Sequence, residues 1–215
     1  MEEHLIINWP YFALALATLW FPRPWMKVGR WIKRRRKQRE TFDKFAQQGG
    51  RDPDDRSVNL GRELSNKRNY IDFFRALVGG YALWHYSFDT SGSTKELMAL
   101  GIGVMVAVVG LLAQSVRWDE KINFSAPIFY LSGLCIAHGN PYDGLFAFML
   151  TCACNPAVPN PRIFLSLFGV LLLPFGWFFD SSILGVLADS FLVLILPVLS
   201  LLVGRPIVIF TKKAD

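Results

Sequence analysis

The sequence predicts an all-α fold, a polytopic bundle of about seven transmembrane helices with the N-terminus outside and the C-terminus cytoplasmic. Three observations predict it. Of the 215 residues 52% are hydrophobic and the mean hydropathy is +0.30, too apolar for an ordinary soluble domain of this size. The apolar residues gather into stretches close to the ~20 that a helix needs to cross the hydrocarbon core. Threading those stretches in alternation puts almost all Lys and Arg residues on one side.

The stretches are 5–21, 71–88, 97–116, 122–137, 142–158, 163–179 and 183–203. The chain divides accordingly into the N-terminus and first span (1–22), a basic cytoplasmic segment with interfacial helices (23–69), a six-span bundle (70–204) and a cytoplasmic tail (205–215). Glu2 and Glu3 stand where a cleavable signal peptide is positive, so the first span is expected to be retained. The fifth span is the short one. Its purely apolar part covers 144–154, and Pro156, Pro159 and Pro161 crowd its end, so a re-entrant segment is the alternative. Charge favours a full crossing, because a re-entrant fifth segment would move Arg162, Arg205, Lys212 and Lys213 to the outer side. With seven spans only Lys95 remains outside. Aromatic residues suit the same threading, with Trp20, Trp25, Tyr70 and Trp118 at the inner headgroup level and Trp84, Tyr86, Tyr142 and Trp177 at the outer.

The segment after the first span interleaves Trp25, Met26, Val28, Trp31 and Ile32 with Lys27, Arg30 and Lys33, an interfacial pattern. Arg34, Arg35, Arg36 and Lys37 follow and would lie against anionic inner-leaflet lipid. The formal charge of +6 therefore implies membrane lipids as partners and no nucleic acid, since no fold with a groove accompanies the charges. Gly49 and Gly50 break the segment. A second helical stretch capped by Asp55 or Ser57 and carrying Leu60 and Leu64 would complete a surface hairpin.

Inside the spans, small residues permit close helix approach: Ala99, Gly103, Ala107 and Gly110 in the third, Gly133 and Ala137 in the fourth. Ordinary packing within the bundle explains them without a dedicated oligomer interface. Pro127, Pro174 and Pro197 should kink their spans. Cys135, Cys152 and Cys154 lie in apolar stretches and read as packing thiols.

Ionisable residues within spans are costly and hence the first candidates for function. Asp189 is the deepest, with Ser190 beside it and Ser182 near; proton or cation handling there requires a partner or water. Asp72 and Arg75 can pair on one helix face at the inner boundary. His85, His138, Asp143 and Asp180 share the outer level, where a His and carboxylate metal site is conceivable, although no local spacing defines one. A haem between His85 and His138 fits less well, as both stand at the membrane edge. No metal or other cofactor is expected.

The sequence contains no GxSxG, Walker loop, zincin motif or DxxDG pair. Microbial rhodopsins share the threading, but the last span has no lysine for a retinal Schiff base. The leading functional expectation is a non-catalytic accessory or assembly subunit with membrane-protein partners. The alternatives are a small transporter or ion-handling protein using Asp189, and an outer-face metal-dependent membrane enzyme. Compact loops and the charge bias place it in a prokaryotic plasma (inner) membrane.

Overall fold

The computed structural model describes residues 5–21, 58–89, 93–118 and 122–209, and the described part is mostly helical, with eight helices. Three are long and apolar enough to cross a membrane, Thr94–Ser115, Pro161–Phe178 and Ile183–Leu202, consistent with a membrane protein. Arg34, Arg35, Arg36 and Lys37, the other residues expected at the interface and the caps proposed at Asp55 and Ser57 lie outside the described residues.

A two-residue strand β1 (Ile6–Ile7) precedes α1 (Trp9–Trp20), whose Pro10 sits in the first turn, where a missing N–H costs nothing. After α2 (Leu60–Ser65) comes α3 (Lys67–Tyr81), which continues into a π turn at Ala82–Tyr86 and the strand β2 (Phe88–Asp89). This helix starts inside the segment assigned to 23–69, because the Asn66 side chain accepts the Arg68 N–H at 3.2 Å and caps it there.

Next are α4 (Ser93–Ser115), β3 (Val116–Trp118) and β4 (Ile122–Ser125), then α5 (Ile128–His138). The expected fourth span at 122–137 is therefore strand over Ile122–Ser125 and helix only from Ile128. Pro127 occupies the N-cap of α5 and does not kink it: proline restrains the residue before it to extended backbone, so the helix begins only afterwards. The chain ends with α6 (Pro141–Cys154), α7 (Pro161–Phe178), α8 (Ile183–Leu202) and β5 (Ile207–Val208). Pro174 and Pro197 do lie inside α7 and α8.

The small strands, absent from an all-α reading, tie helix ends together. β1 pairs antiparallel with β2, Ile6 opposite Asp89, which fixes the start of α1 beside the end of the π turn. β3 and β4 form a hairpin, and β5 joins β4 in parallel with Phe124 opposite Ile207. The helix ends consequently fall into two groups. One end of the bundle gathers the start of α1, the π turn and the α5–α6 and α7–α8 turns: Tyr11 stacks on Tyr86 at 5.1 Å and Tyr142 meets Phe179 at 5.7 Å. The opposite end gathers the end of α1, the β3–β4–β5 sheet, the α6–α7 turn and the end of α8. There Asn155 Nδ2 donates to the Val58 carbonyl, and the Arg162 guanidinium donates to Ser200 Oγ.

Glycines set the closest approaches. A Cβ on Gly133 of α5 would strike the Phe73 carbonyl of α3, and one on Gly80 would meet Ala137 at 2.8 Å, so these two helices pack nearly backbone to backbone. Gly103 leaves room on α4 for the Trp84 ring. The small residues picked out on the third and fourth spans thus serve packing inside the bundle.

Candidate functional site

Asp189 lies in the second turn of α8 and His138 is the last residue of α5. His138 Nδ1 stands 2.8 Å from Asp189 Oδ1, and the two side chains are only 7% and 8% exposed. A carboxylate this deep is costly alone, and a hydrogen-bonded partner lowers that cost. The bond survives either proton assignment, as imidazole N–H to carboxylate or as carboxylic O–H to the imidazole lone pair. Uptake of one proton takes the pair from a net charge of −1 to neutrality without breaking it.

Two neighbouring residues of the π turn grip the end of α5. Trp84 lays its ring 3.9 Å from the His138 ring, and His85 Nε2 lies 3.1 Å from the Ala137 carbonyl. π turns recur at functional sites because the extra residue re-aims the side chains that follow. Between the π turn, α4 and His138 is a cavity of about 160 Å³ lined by Trp84, Phe88, Glu96, Ala99, Leu100 and His138.

Around this core two buried polar atoms have no hydrogen-bond partner among the described residues, Trp84 Nε1 and Ser190 Oγ. Asp143, in the first turn of α6, faces the α7–α8 turn, where Asp180 takes a left-handed conformation at φ 53°. Aspartate tolerates that region better than most side chains. Asp180 itself is exposed.

No family model, curated protein or solved structure matches this chain.

The intramembrane and outer-level candidates proposed from sequence therefore regroup. His138 and Asp189 come together, whereas His85 is exposed and directed to the Ala137 carbonyl. Among the described residues no group of three His, Cys, Asp or Glu side chains is placed to hold a metal ion. Asp72 and Arg75 stand 3.3 Å apart at the opposite end. Arg75 also donates to the Phe21 carbonyl and lies 5.6 Å from the Tyr130 ring, which makes it a tie between helices. Trp84, Glu96 and Tyr130 were not singled out from sequence as site residues; a cavity or a helix cap formed from distant segments leaves no local pattern.

Proposed function

We propose that the chain is a seven-span protein of a prokaryotic plasma membrane that handles a proton or small cation through the His138–Asp189 pair. The observation that carries this reading is the 2.8 Å contact between a histidine and an aspartate that are both nearly inaccessible. The cavity beside His138 supplies room for water to reach it.

Two features support seven spans. Helix α6 runs from the Tyr142–Phe179 contact at one end of the bundle to the Asn155–Val58 bond at the other, as a full crossing requires. The short helices α1 and α5, of 12 and 11 residues, are preceded by strands whose backbone groups are paired, which a lipid surrounding demands. Very exposed apolar side chains such as Trp177 (86%), Ile183 (76%) and Leu202 (76%) suit hydrocarbon contact. Lys67, Arg68, Arg75, Arg162 and Arg205 all belong to the end holding the β3–β4–β5 sheet, and Lys95 to the other. The positive-inside rule then makes the sheet end cytoplasmic, with anionic lipid against Arg34–Lys37.

One observation favours the accessory-subunit reading. Leu131, Leu134, Phe168, Leu172 and Leu192 are each no more than 1% exposed, so much of the interior among the described residues is apolar in this conformation. Transport requires that packing to rearrange, and Pro174 and Pro197 supply weak points in α7 and α8 for it.

Vesicles reconstituted with the protein and an internal pH dye decide between the two. Under an imposed gradient the wild type should move protons or cations and Asp189→Asn should not. Undiminished flux in the variant removes the ion-handling reading, and a wild type with no flux that purifies in a fixed assembly supports the subunit one.

A further inference from the structure

The cavity beside His138 has a chemical character that narrows the ion. The polar side chains that line it are Glu96, an exposed residue in the first turn of α4, His138, and Trp84, whose indole N–H has no partner among the described residues. With Nδ1–H given to Asp189, the other imidazole nitrogen carries a lone pair, and Nε2 makes no hydrogen bond among the described residues. Glu96 and His138 accept hydrogen bonds, and the indole N–H donates. The rest of the lining, the Trp84 ring, Phe88, Ala99 and Leu100, is apolar or aromatic.

A divalent metal wants four or more nitrogen, oxygen or sulfur ligands, and no trio of ligating side chains stands together among the described residues. A hydrated sodium ion gains little from aromatic and methyl walls. A protonated alkylamine fits the two acceptors and the walls: its charge is countered by Glu96, its N–H groups find two acceptors, and its carbons lie against Trp84, Phe88 and Leu100. The volume of about 160 Å³ admits several heavy atoms. We propose that this cavity binds a small protonated alkylamine, with Glu96 as counter-ion and His138 as hydrogen-bond acceptor. The inference deepens the ion-handling reading and rests on it only for the claim that the amine is moved.

The test is a tryptophan-fluorescence titration of the purified full chain in detergent with methylammonium chloride, with sodium chloride at equal ionic strength as the control. Trp84 touches the cavity, so the wild type should show saturable quenching by methylammonium and none by sodium. Glu96→Gln should bind about tenfold more weakly, the loss of one charge-assisted contact, and Glu96→Asp should recover part of it. Trp84→Phe should abolish the signal; if it does not, the bound amine is elsewhere. No saturable response in the wild type, an equal response to sodium, or unchanged affinity in Glu96→Gln overturns the proposal. Thermal unfolding of Glu96→Gln at the wild-type temperature guards against misfolding. Wild-type vesicles that carry no flux, alongside a positive titration, would sink the ion-handling reading and leave the amine site standing.

Discussion

The Tyr130 hydroxyl, wholly buried, donates to the Leu19 carbonyl at 3.2 Å. That bond closes the end of α1, whose last carbonyls have no partner within the helix. Gln114 Nε2 reaches the same carbonyl at 3.3 Å and the Phe21 carbonyl at 3.0 Å, and Arg75 donates to Phe21 as well. Three different helices therefore satisfy one helix end, and α1 is held by polar bonds in addition to apolar contact.

Tyr130→Phe keeps the ring and removes only this donor. Leu19 retains Gln114, so the cost should be about 1 kcal/mol and not the larger penalty of an orphaned carbonyl. In a chain of this length that lowers the midpoint of thermal unfolding by about 2 to 4 °C. A midpoint equal to the wild type would show that the hydroxyl contributes nothing to anchoring α1.

Gly133 and Gly101 make a matched pair of substitutions. At Gly133 a methyl would collide with the Phe73 carbonyl and crowd the Leu77 N–H, both backbone groups that cannot swing aside. Gly133→Ala should force α3 and α5 apart and cost about 1 to 3 kcal/mol. At Gly101 nothing lies within 4 Å of the added carbon, and alanine there should be neutral or stabilise by up to about 1 kcal/mol through helix propensity. Thermal unfolding of both variants checks the pair; equal behaviour would mean the close approach is not set by Gly133.

The fifth crossing is open to labelling. Tyr142, in the first turn of α6, and Ala157, just beyond its end, are both exposed. In a chain freed of Cys135, Cys152 and Cys154, a cysteine at Tyr142 should react with an impermeant maleimide on intact cells, and one at Ala157 only after the membrane is opened. Reaction from the same side would make α6 re-entrant and reverse the placement of Arg162 and Arg205.

Helix existence was legible in the sequence because each apolar run had to be hidden from water. Helix ends were less so. Nothing in the run 122–137 distinguishes strand from helix except Pro127, and its effect depends on whether it falls within a helix or before one. Asp189 was legible because a charge in an apolar run is costly, but its partner lies 51 residues away with no period linking the two. Grouping His85, His138, Asp143 and Asp180 by expected depth carried no direction around each helix. Depth alone cannot show that His85 turns to the Ala137 carbonyl. Trp84, read as an interfacial aromatic, fills the gap at Gly103, which only the helix pairing exposes.

The pair itself is tested by a double-mutant cycle. His138→Leu leaves the Asp189 carboxyl buried without its imidazole, and Asp189→Leu strands the imidazole; each should destabilise by about 3 kcal/mol, the cost of breaking one side of a buried pair. Removing both leaves two leucines in place of a polar pair, so the double variant should be more stable than either single one, which requires a coupling of more than about 3 kcal/mol. Stabilities that simply add would show that the two groups do not act on each other. The double variant also separates fold from function: if it unfolds near the wild-type temperature yet carries no flux in vesicles, the pair is retained for its proton and not for its contribution to packing.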